Sequence, residues 1–311
     1  MVPVDRKDQV DRTSGHNCVS HLTGWSEPRY GRAMNESPLA SFLLPEGYRR
    51  PPVVAVLNEA RIAGEARRYA TRALSARLER RRTPYVAGPQ ARDLDPVLLV
   101  PGFLAGDYTL RFMAAALRKQ GMRTYRSHIV ANVGCTLDAA HLIEQRLEAI
   151  ANKRGTRVQL VGHSLGGMLA RGIAVRRPDL VSGIVTMGSP MLAPAAHHRA
   201  LTAGLGGLIA LSKVGVPRTM TVDCVGGPCA RESFEESRQP VPADVAFTAI
   251  YSRRDGIVDW RACIDPTATA VEVRTSHVGM VMDPAVITAV TEALVRHRGA
   301  REETQSWVAS A

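Results

Sequence analysis

Several residue types are scarce in this sequence, and each scarcity argues against a class of protein. Aromatic residues make up only 5% of the 311 residues, and only four of the 40 basic side chains are lysines. The longest near-apolar stretch, residues 201–211, has 11 residues and contains three glycines. It falls short of the roughly 18 apolar residues that a membrane-spanning helix requires. The charged N-terminus is followed by no apolar segment, so we expect no signal peptide and a cytoplasmic chain.

Cysteine is scarce as well, and its spacing predicts no metal centre. Five scattered cysteines are too few for a disulfide framework. Cys224 and Cys229 flank a Val-Gly-Gly-Pro loop that could bring two thiols together, but no histidine stands beside them, as a zinc site of mixed ligands would require. We therefore expect a local disulfide or two buried thiols, and neither a metal nor another cofactor.

Basic charge is abundant, and much of it lies in one segment. The formal net charge is +11, and residues 49–82 contain ten arginines against three glutamates. Apolar residues at helical spacing predict a basic amphipathic helix over residues 57–82. Such a helix could contact an anionic membrane surface, or it could pack on the core with a solvated arginine face. We expect no nucleic-acid partner, because no helix-turn-helix, zinc-finger or aromatic RNA-reading motif is present.

The order of the predicted elements indicates an α/β fold, a mostly parallel sheet flanked by helices. Residues 1–50 lack periodicity and are interpreted as a poorly ordered tail, residues 51–94 as the basic helix and a linker, and residues 95–311 as the catalytic domain. Within that domain, residues 190–244 interrupt the alternation of strands and helices and are interpreted as a lid or cap insertion. The predicted strands are 97–100, 124–130, 158–161, 181–187, 247–251 and 270–274, and the predicted helices are 108–120, 137–152, 165–177 and 284–297.

The strongest motif is a Gly-x-Ser-x-Gly sequence between an apolar strand and a helix. It consists of Gly162, His163, Ser164, Leu165 and Gly166. A serine on a sharp strand-to-helix turn has a strained backbone, and glycines on both sides remove collisions between side chains and the neighbouring backbone. This placement predicts that the serine is a nucleophile rather than part of an inert turn.

A serine nucleophile needs a histidine base and a carboxylate that orients the histidine. His277 follows a late predicted strand, whereas His163 competes from within the elbow. The carboxylate is Asp255 or Asp259, and Asp255 is preferred because it comes first after its strand and precedes a turn-forming glycine. The remaining histidines, among them His197, His198 and His297, are mostly expected to be solvated.

The intermediate of such a reaction carries a negative charge that backbone N–H groups must stabilise. The residue after the nucleophile, Leu165, supplies one such group. The loop after the first strand, Val-Pro-Gly-Phe-Leu, stands where a second donor is needed. Gly102 permits a turn that directs the N–H of Phe103 inward.

Residues 95–298 resemble an α/β-hydrolase, and within that superfamily the bacterial lipase and esterase branch. The resemblance rests on Pro101-Gly-Phe103, the elbow, Thr186-Met-Gly-Ser-Pro190, Asp255-Gly-Ile-Val258 and Ser276-His277. It implies a triad of Ser164, Asp255 and His277, with Phe103 and Leu165 as oxyanion donors. The expected function is hydrolysis of a small-molecule or lipid carboxylic ester. Acyl transfer or thioester cleavage by the same triad is an alternative, as is a non-catalytic protein that binds anionic membranes.

Overall fold

Six parallel strands form the central sheet of the protein. The structure is a computed structural model that describes residues 39–82 and 95–310. The strand order is β2-β1-β3-β4-β5-β6, and every neighbouring pair is parallel. The predicted α/β class is therefore confirmed. The strands are β1 (Val97–Val100), β2 (Thr124–Arg126), β3 (Val158–His163), β4 (Val181–Met187), β5 (Ala246–Tyr251) and β6 (Thr269–Glu272).

Helices pack on both faces of this sheet, and every residue of β1, β3 and β4 is buried. A parallel sheet with right-handed crossovers directs the carboxyl ends of its strands to one edge, where binding sites form. The helices of the described residues are α1 (Ile62–Arg82), α2 (Arg111–Lys119), α3 (Thr136–Arg154), α4 (Leu165–Arg176), α5 (Arg199–Lys213), α6 (Val222–Gly226), α7 (Pro228–Arg238) and α8 (Pro284–Ser310).

Strand β2 is shorter than the sequence indicated, and a side chain explains why. The carboxylate of Asp107 accepts hydrogen bonds from the backbone N–H groups of Ser127 and His128, at 3.1 and 2.9 Å. His128 also has a left-handed backbone, with φ of 69°. These bonds use the N–H groups that a continued strand would donate to its neighbour.

The described N-terminal segment, residues 39–82, packs on the sheet domain. A 3-10 helix at Val53–Arg61 leads directly into α1, and the rings of Tyr69 and Phe112 lie 4.8 Å apart. Leu43 is buried, and its carbonyl accepts a hydrogen bond from Ala195. Residues 39–50 thus differ from the poorly ordered tail that the sequence indicated, whereas residues 1–38 and the linker residues 83–94 lie outside the described residues.

The insertion between β4 and β5 contains three helices, α5, α6 and α7. The near-apolar stretch 201–211 lies within α5, whose buried residues are Leu205, Leu208 and Ile209. Their apolar cluster also contains Met220 and Val225 from the rest of the insertion. Across residues 39–82 and 95–310, no helix combines the length and the apolar character needed to cross a membrane.

Candidate active site

Ser164 occupies a strained turn between the end of β3 and the start of α4. Its backbone angles are φ 52° and ψ −123°, a conformation that a non-glycine residue rarely adopts. A Cβ atom at Gly162 would lie 2.4 Å from the carbonyl oxygen of Gly166, and one at Gly166 would lie 2.2 Å from that of Val100. Both glycines are therefore required by close backbone packing, as the elbow motif predicted.

Asp255 and His277 form a buried hydrogen-bonded pair at the carboxyl edge of the sheet. His277 Nδ1 donates to Asp255 Oδ2 at 2.6 Å. The other carboxylate oxygen accepts the N–H groups of Ile257 and Val258, both at 2.8 Å, which fixes its orientation. Asp259, the alternative acid, instead accepts the N–H of Arg49 at 3.0 Å. The geometry therefore favours Asp255 as the partner of His277.

The surroundings of His277 favour its protonated form. Burial by itself lowers the pKa of this imidazole, but the Asp255 carboxylate, its hydrogen bond and the nearby Glu59 carboxylate together raise the pKa above its usual value. The same groups would stabilise the imidazolium if His277 took up a proton.

His163 lies beside this pair but has a different role. Burial, together with a smaller effect of the nearby His277, lowers the pKa of His163 to about 3. The imidazole is therefore neutral, and its Nε2 donates to the His277 carbonyl at 3.0 Å. Among the described residues no hydrogen bond joins Ser164 Oγ to His277, a contact that often tightens only when substrate binds.

The loop after β1, residues 101–105, packs directly on the elbow. A Cβ atom at Gly102 would lie 3.0 Å from that of Ser164. No described residue accepts a hydrogen bond from the N–H of Phe103 or of Leu165. Both donors, from the loop and from the start of α4, are thus available to a ligand beside Ser164.

Asn132 holds this loop in place, a role that the sequence analysis missed. Its side-chain Nδ2 donates to the carbonyl of Pro101 at 3.1 Å. Its backbone accepts the N–H of Leu104 at 3.0 Å and donates to Ala105 at 2.8 Å. Leu104 has a left-handed backbone with φ of 58°, so these three bonds stabilise a strained turn. No pattern around Asn132 could have identified it, since its partners lie about thirty residues away.

An apolar cavity of about 130 Å³ opens beside Ser164. Its wall combines the N-terminal segment, the loop after β1, helix α4 and the insertion helices. Apolar side chains predominate in this wall, which includes Leu43, Phe103, Met168, Leu205, Val225 and Phe234. Most of these side chains were not singled out by the sequence, because the cavity is assembled from distant segments.

Three further histidines differ from their expected solvation. His197, His198 and His297 are all buried. His198 contacts the carbonyl of Val53 at 3.1 Å, and burial lowers the pKa of His297 to about 4. These imidazoles are packed within the fold because tertiary contacts from distant segments cover them.

The predicted local disulfide is not formed, because Cys224 is a free thiol. The Cys224 sulfur lies within 4.8 Å of the sulfur of Cys135, and both residues belong to the apolar cluster under α5. The alternative expectation, two buried thiols, holds for Cys224 but not for Cys229, which is disulfide-bonded.

Comparison with known proteins agrees with this fold. Residues 93–205 match the family model of the PGAP1-like alpha/beta domain. A Bacillus licheniformis lipase in its mature form is similar, with a TM-score of 0.52 and 14% identity over 67% of this chain and 94% of the lipase. The propeptide form of that lipase gives a TM-score of 0.53 and 15% identity over 68% of this chain and 51% of the lipase. These likenesses show that the chain has the α/β-hydrolase fold.

Proposed function

We propose that the protein is a serine-dependent carboxylic-ester hydrolase of the lipase and esterase type. The observation that carries this proposal is the Asp255–His277 hydrogen bond at 2.6 Å, at the same sheet edge as a serine in a strained strand-to-helix turn. A buried carboxylate that orients a histidine near an elbow serine is the arrangement that activates a hydroxyl nucleophile.

In the proposed reaction, His277 Nε2 removes the proton of Ser164 as the serine oxygen attacks the ester carbonyl. Asp255 stabilises the imidazolium, and the N–H groups of Phe103 and Leu165 bind the oxyanion. His277 then passes the proton to the departing alcohol, which leaves an acyl group on Ser164. A water molecule, deprotonated by His277, then attacks this acyl group; the bond to Ser164 breaks, His277 returns the proton to the serine oxygen, and the carboxylic acid is released.

The apolar wall of the cavity supports an acyl chain as the group that lies beside Ser164. Helix α5 contributes Leu205 to this wall and closes one side of the cavity, which supports the interpretation of the insertion as a lid. Acyl transfer and thioester cleavage would use the same residues, because only the acceptor or the leaving atom differs. Product analysis with an added alcohol, and with a thioester in place of an ester, separates these reactions.

Labelling with a fluorophosphonate probe, followed by mass spectrometry of peptides, tests the proposal. We expect one adduct, on Ser164, and loss of p-nitrophenyl ester hydrolysis in Ser164→Ala. Ser75→Ala, which changes an exposed serine of α1, is the matched control and should keep full activity. Ester hydrolysis by Ser164→Ala at the wild-type rate would refute the proposal.

A second candidate function is contact with an anionic membrane surface. The 3-10 helix before α1 exposes four large apolar side chains, Val53, Val54, Val56 and Leu57, at 62, 69, 38 and 71%. Exposed arginines, including Arg61 and Arg67, follow them, and this combination of apolar and basic groups is typical of interfacial helices. Co-sedimentation with phosphatidylglycerol vesicles at low and high salt tests it, and equal, negligible binding to these and to neutral vesicles would dismiss it.

A further inference from the structure

One carboxylate from the N-terminal segment connects the loops that carry Asp255 and His277. Glu59 Oε1 accepts the N–H of Gly256 and the N–H of His277, both at 3.0 Å. Its Oε2 accepts the N–H of Val278 at 2.9 Å. The three donors belong to Asp255's immediate neighbour, to His277 itself and to the residue after it. Glu59 therefore fixes the two loops relative to each other.

A second carboxylate of the same segment holds the residues just before His277. Glu65 Oε1 accepts the Thr275 hydroxyl at 2.8 Å and the N–H of Ser276 at 2.7 Å. Its Oε2 accepts the Ser276 hydroxyl at 2.6 Å. Glu65 is only 1% exposed. Burial removes the water that would solvate its carboxylate, and these hydrogen bonds replace that water. Four successive residues, 275–278, are thus bonded to the N-terminal segment.

Two glycines of these loops leave the space that the N-terminal segment fills. A Cβ atom at Gly256 would lie 2.2 Å from the carbonyl oxygen of Ala55. One at Gly279 would lie 1.7 Å from Glu65 Oε2. Neither glycine is in the left-handed region, so close approach rather than backbone conformation explains the absence of a side chain. The loops are shaped to receive this segment.

We propose that Glu59 is a positioning residue of the active site. It fixes the positions of the Asp255 and His277 loops relative to each other and places a negative charge near the His277 imidazole. The inference rests on the proposed function, because it assigns Asp255 and His277 their roles in ester hydrolysis. Glu59 contacts no reacting atom and acts through these two loops.

The charge of Glu59 has a consequence that can be measured separately from its hydrogen bonds. Four ionisable groups face or adjoin His277: Asp255, Glu59, the neutral His163, and Glu65 behind Ser276. The negative charge of Glu59 helps to raise the pKa of His277, after the larger effect of Asp255. Its removal should lower that pKa, so the imidazole would stay neutral at lower pH.

Glu59→Gln is the informative variant, since it keeps the length and one acceptor oxygen but removes the charge and turns an N–H toward Val278. We expect kcat on p-nitrophenyl acetate to fall roughly tenfold or more, the scale for losing a charge-assisted hydrogen bond. KM should change little, and the acid limb of the pH–rate profile should move to lower pH. Glu46→Gln removes an equal charge from an exposed residue of the same segment and should match the wild type.

A readout independent of turnover distinguishes failure of this proposal from failure of the proposed function. NMR titration of the His277 imidazole should show a lower pKa in Glu59→Gln than in the wild type, even if neither protein hydrolyses an ester. An unchanged His277 titration together with unchanged kcat would overturn the inference, whereas absence of a fluorophosphonate adduct on wild-type Ser164 would overturn the proposed function alone.

If Glu59→Gln does not fold, Gly256→Ala takes its place. The added methyl group would displace Ala55 and move the Gly256 N–H away from Glu59, although every charge is kept. We expect Gly256→Ala to lower kcat. The pKa of His277 should change less in this variant than loss of the Glu59 charge would change it. A wild-type kcat in this variant would also overturn the inference.

Discussion

Leu205 allows a direct test of whether the cavity beside Ser164 holds the acyl chain of the substrate. This residue lies on α5 of the insertion, is 8% exposed and lines the cavity. Leu205→Phe would extend a ring into a space of about 130 Å³, while the residue would stay apolar. The substitution therefore removes room for methylene groups without adding a polar atom to the wall.

The expected size of the effect follows from the free energy of burying hydrocarbon. Each methylene group transferred from water to an apolar site contributes about 0.8 kcal/mol, which is about a fourfold gain in kcat/KM per methylene. For the wild type we expect kcat/KM to rise by roughly 15-fold from an acetyl to a butyryl ester. In Leu205→Phe the ratio of kcat/KM for the butyryl ester to that for the acetyl ester should fall toward one. Hydrolysis of the acetyl ester should be nearly unchanged.

The assay is a series of p-nitrophenyl esters from acetyl to octanoyl, compared by kcat/KM. Leu211→Phe is the matched control, because it makes the same change on the same helix at a side chain that is 45% exposed. Circular dichroism and thermal unfolding would establish that both variants are folded, since overpacking alone can destabilise a core. If Leu205→Phe keeps the chain-length dependence of the wild type and of Leu211→Phe, the acyl chain does not bind in this cavity.

Three further predictions concern the loop after β1, the proposed base His277 and a buried ion pair. Asn132→Ala should lower kcat by about ten- to a hundredfold with little change in KM, because the loop loses its side-chain hydrogen bond; steady-state kinetics would contradict this if kcat were unchanged. Ester hydrolysis should fall as pH drops through the pKa of His277, with a midpoint above the usual histidine value of about 6.5; a midpoint below it in the pH–rate profile would argue against His277 as the base. Asp265→Ala should lower the free energy of unfolding by about 3–5 kcal/mol, because it removes the carboxylate that pairs with the buried Arg171. In urea titrations, Asp244→Ala at the exposed Arg157 pair should cost less than about 1 kcal/mol, and equal losses would refute this reasoning.

The pH dependence of the Asp265 contribution has a defined direction. Burial raises the pKa of Asp265, but hydrogen bonds from Thr267 and the nearby Arg171 outweigh it, so the pKa lies below its usual value. A carboxyl group with a lower pKa in the folded state stabilises the protein fully above its unfolded pKa, about 4. That contribution is lost as pH falls through the folded value, so the wild type and Asp265→Ala should converge in stability at acid pH.

The sequence was most informative where local chemistry specifies the structure. Short runs rich in apolar residues predicted five of the six strands to within two residues at either end, and β2 is the exception. The elbow was recognisable because its strain requires glycines at fixed spacing from Ser164, and those positions are adjacent in the chain. The exception at β2 is instructive, because the side chain that ends it, Asp107, lies 20 residues away.

Contacts between distant segments could not be read from the sequence. Glu59 is separated from His277 by 218 residues, and no spacing rule relates an acid on a helix to a loop so far along the chain. Asn132 looks like an ordinary loop residue until its partner Pro101 is known. The residues proposed to react were therefore recognisable in the sequence, whereas the residues that hold them in place were not.

The basic N-terminal segment illustrates why net charge was a poor guide to function. Its arginines dominate the charge count, yet the charged side chains of this segment that bond to the Asp255 and His277 loops are two glutamates, Glu59 and Glu65. Burial of a carboxylate is unfavourable unless donors replace its water, and a nonpolar residue of similar volume would often stabilise a fold as well. Glu65 is buried and Glu59 is half-buried, and the three directed donors to each carboxylate favour a positioning role over a contribution to stability. Loss of Glu59 should therefore reduce kcat more than it reduces the free energy of unfolding, when both are expressed on the same energy scale.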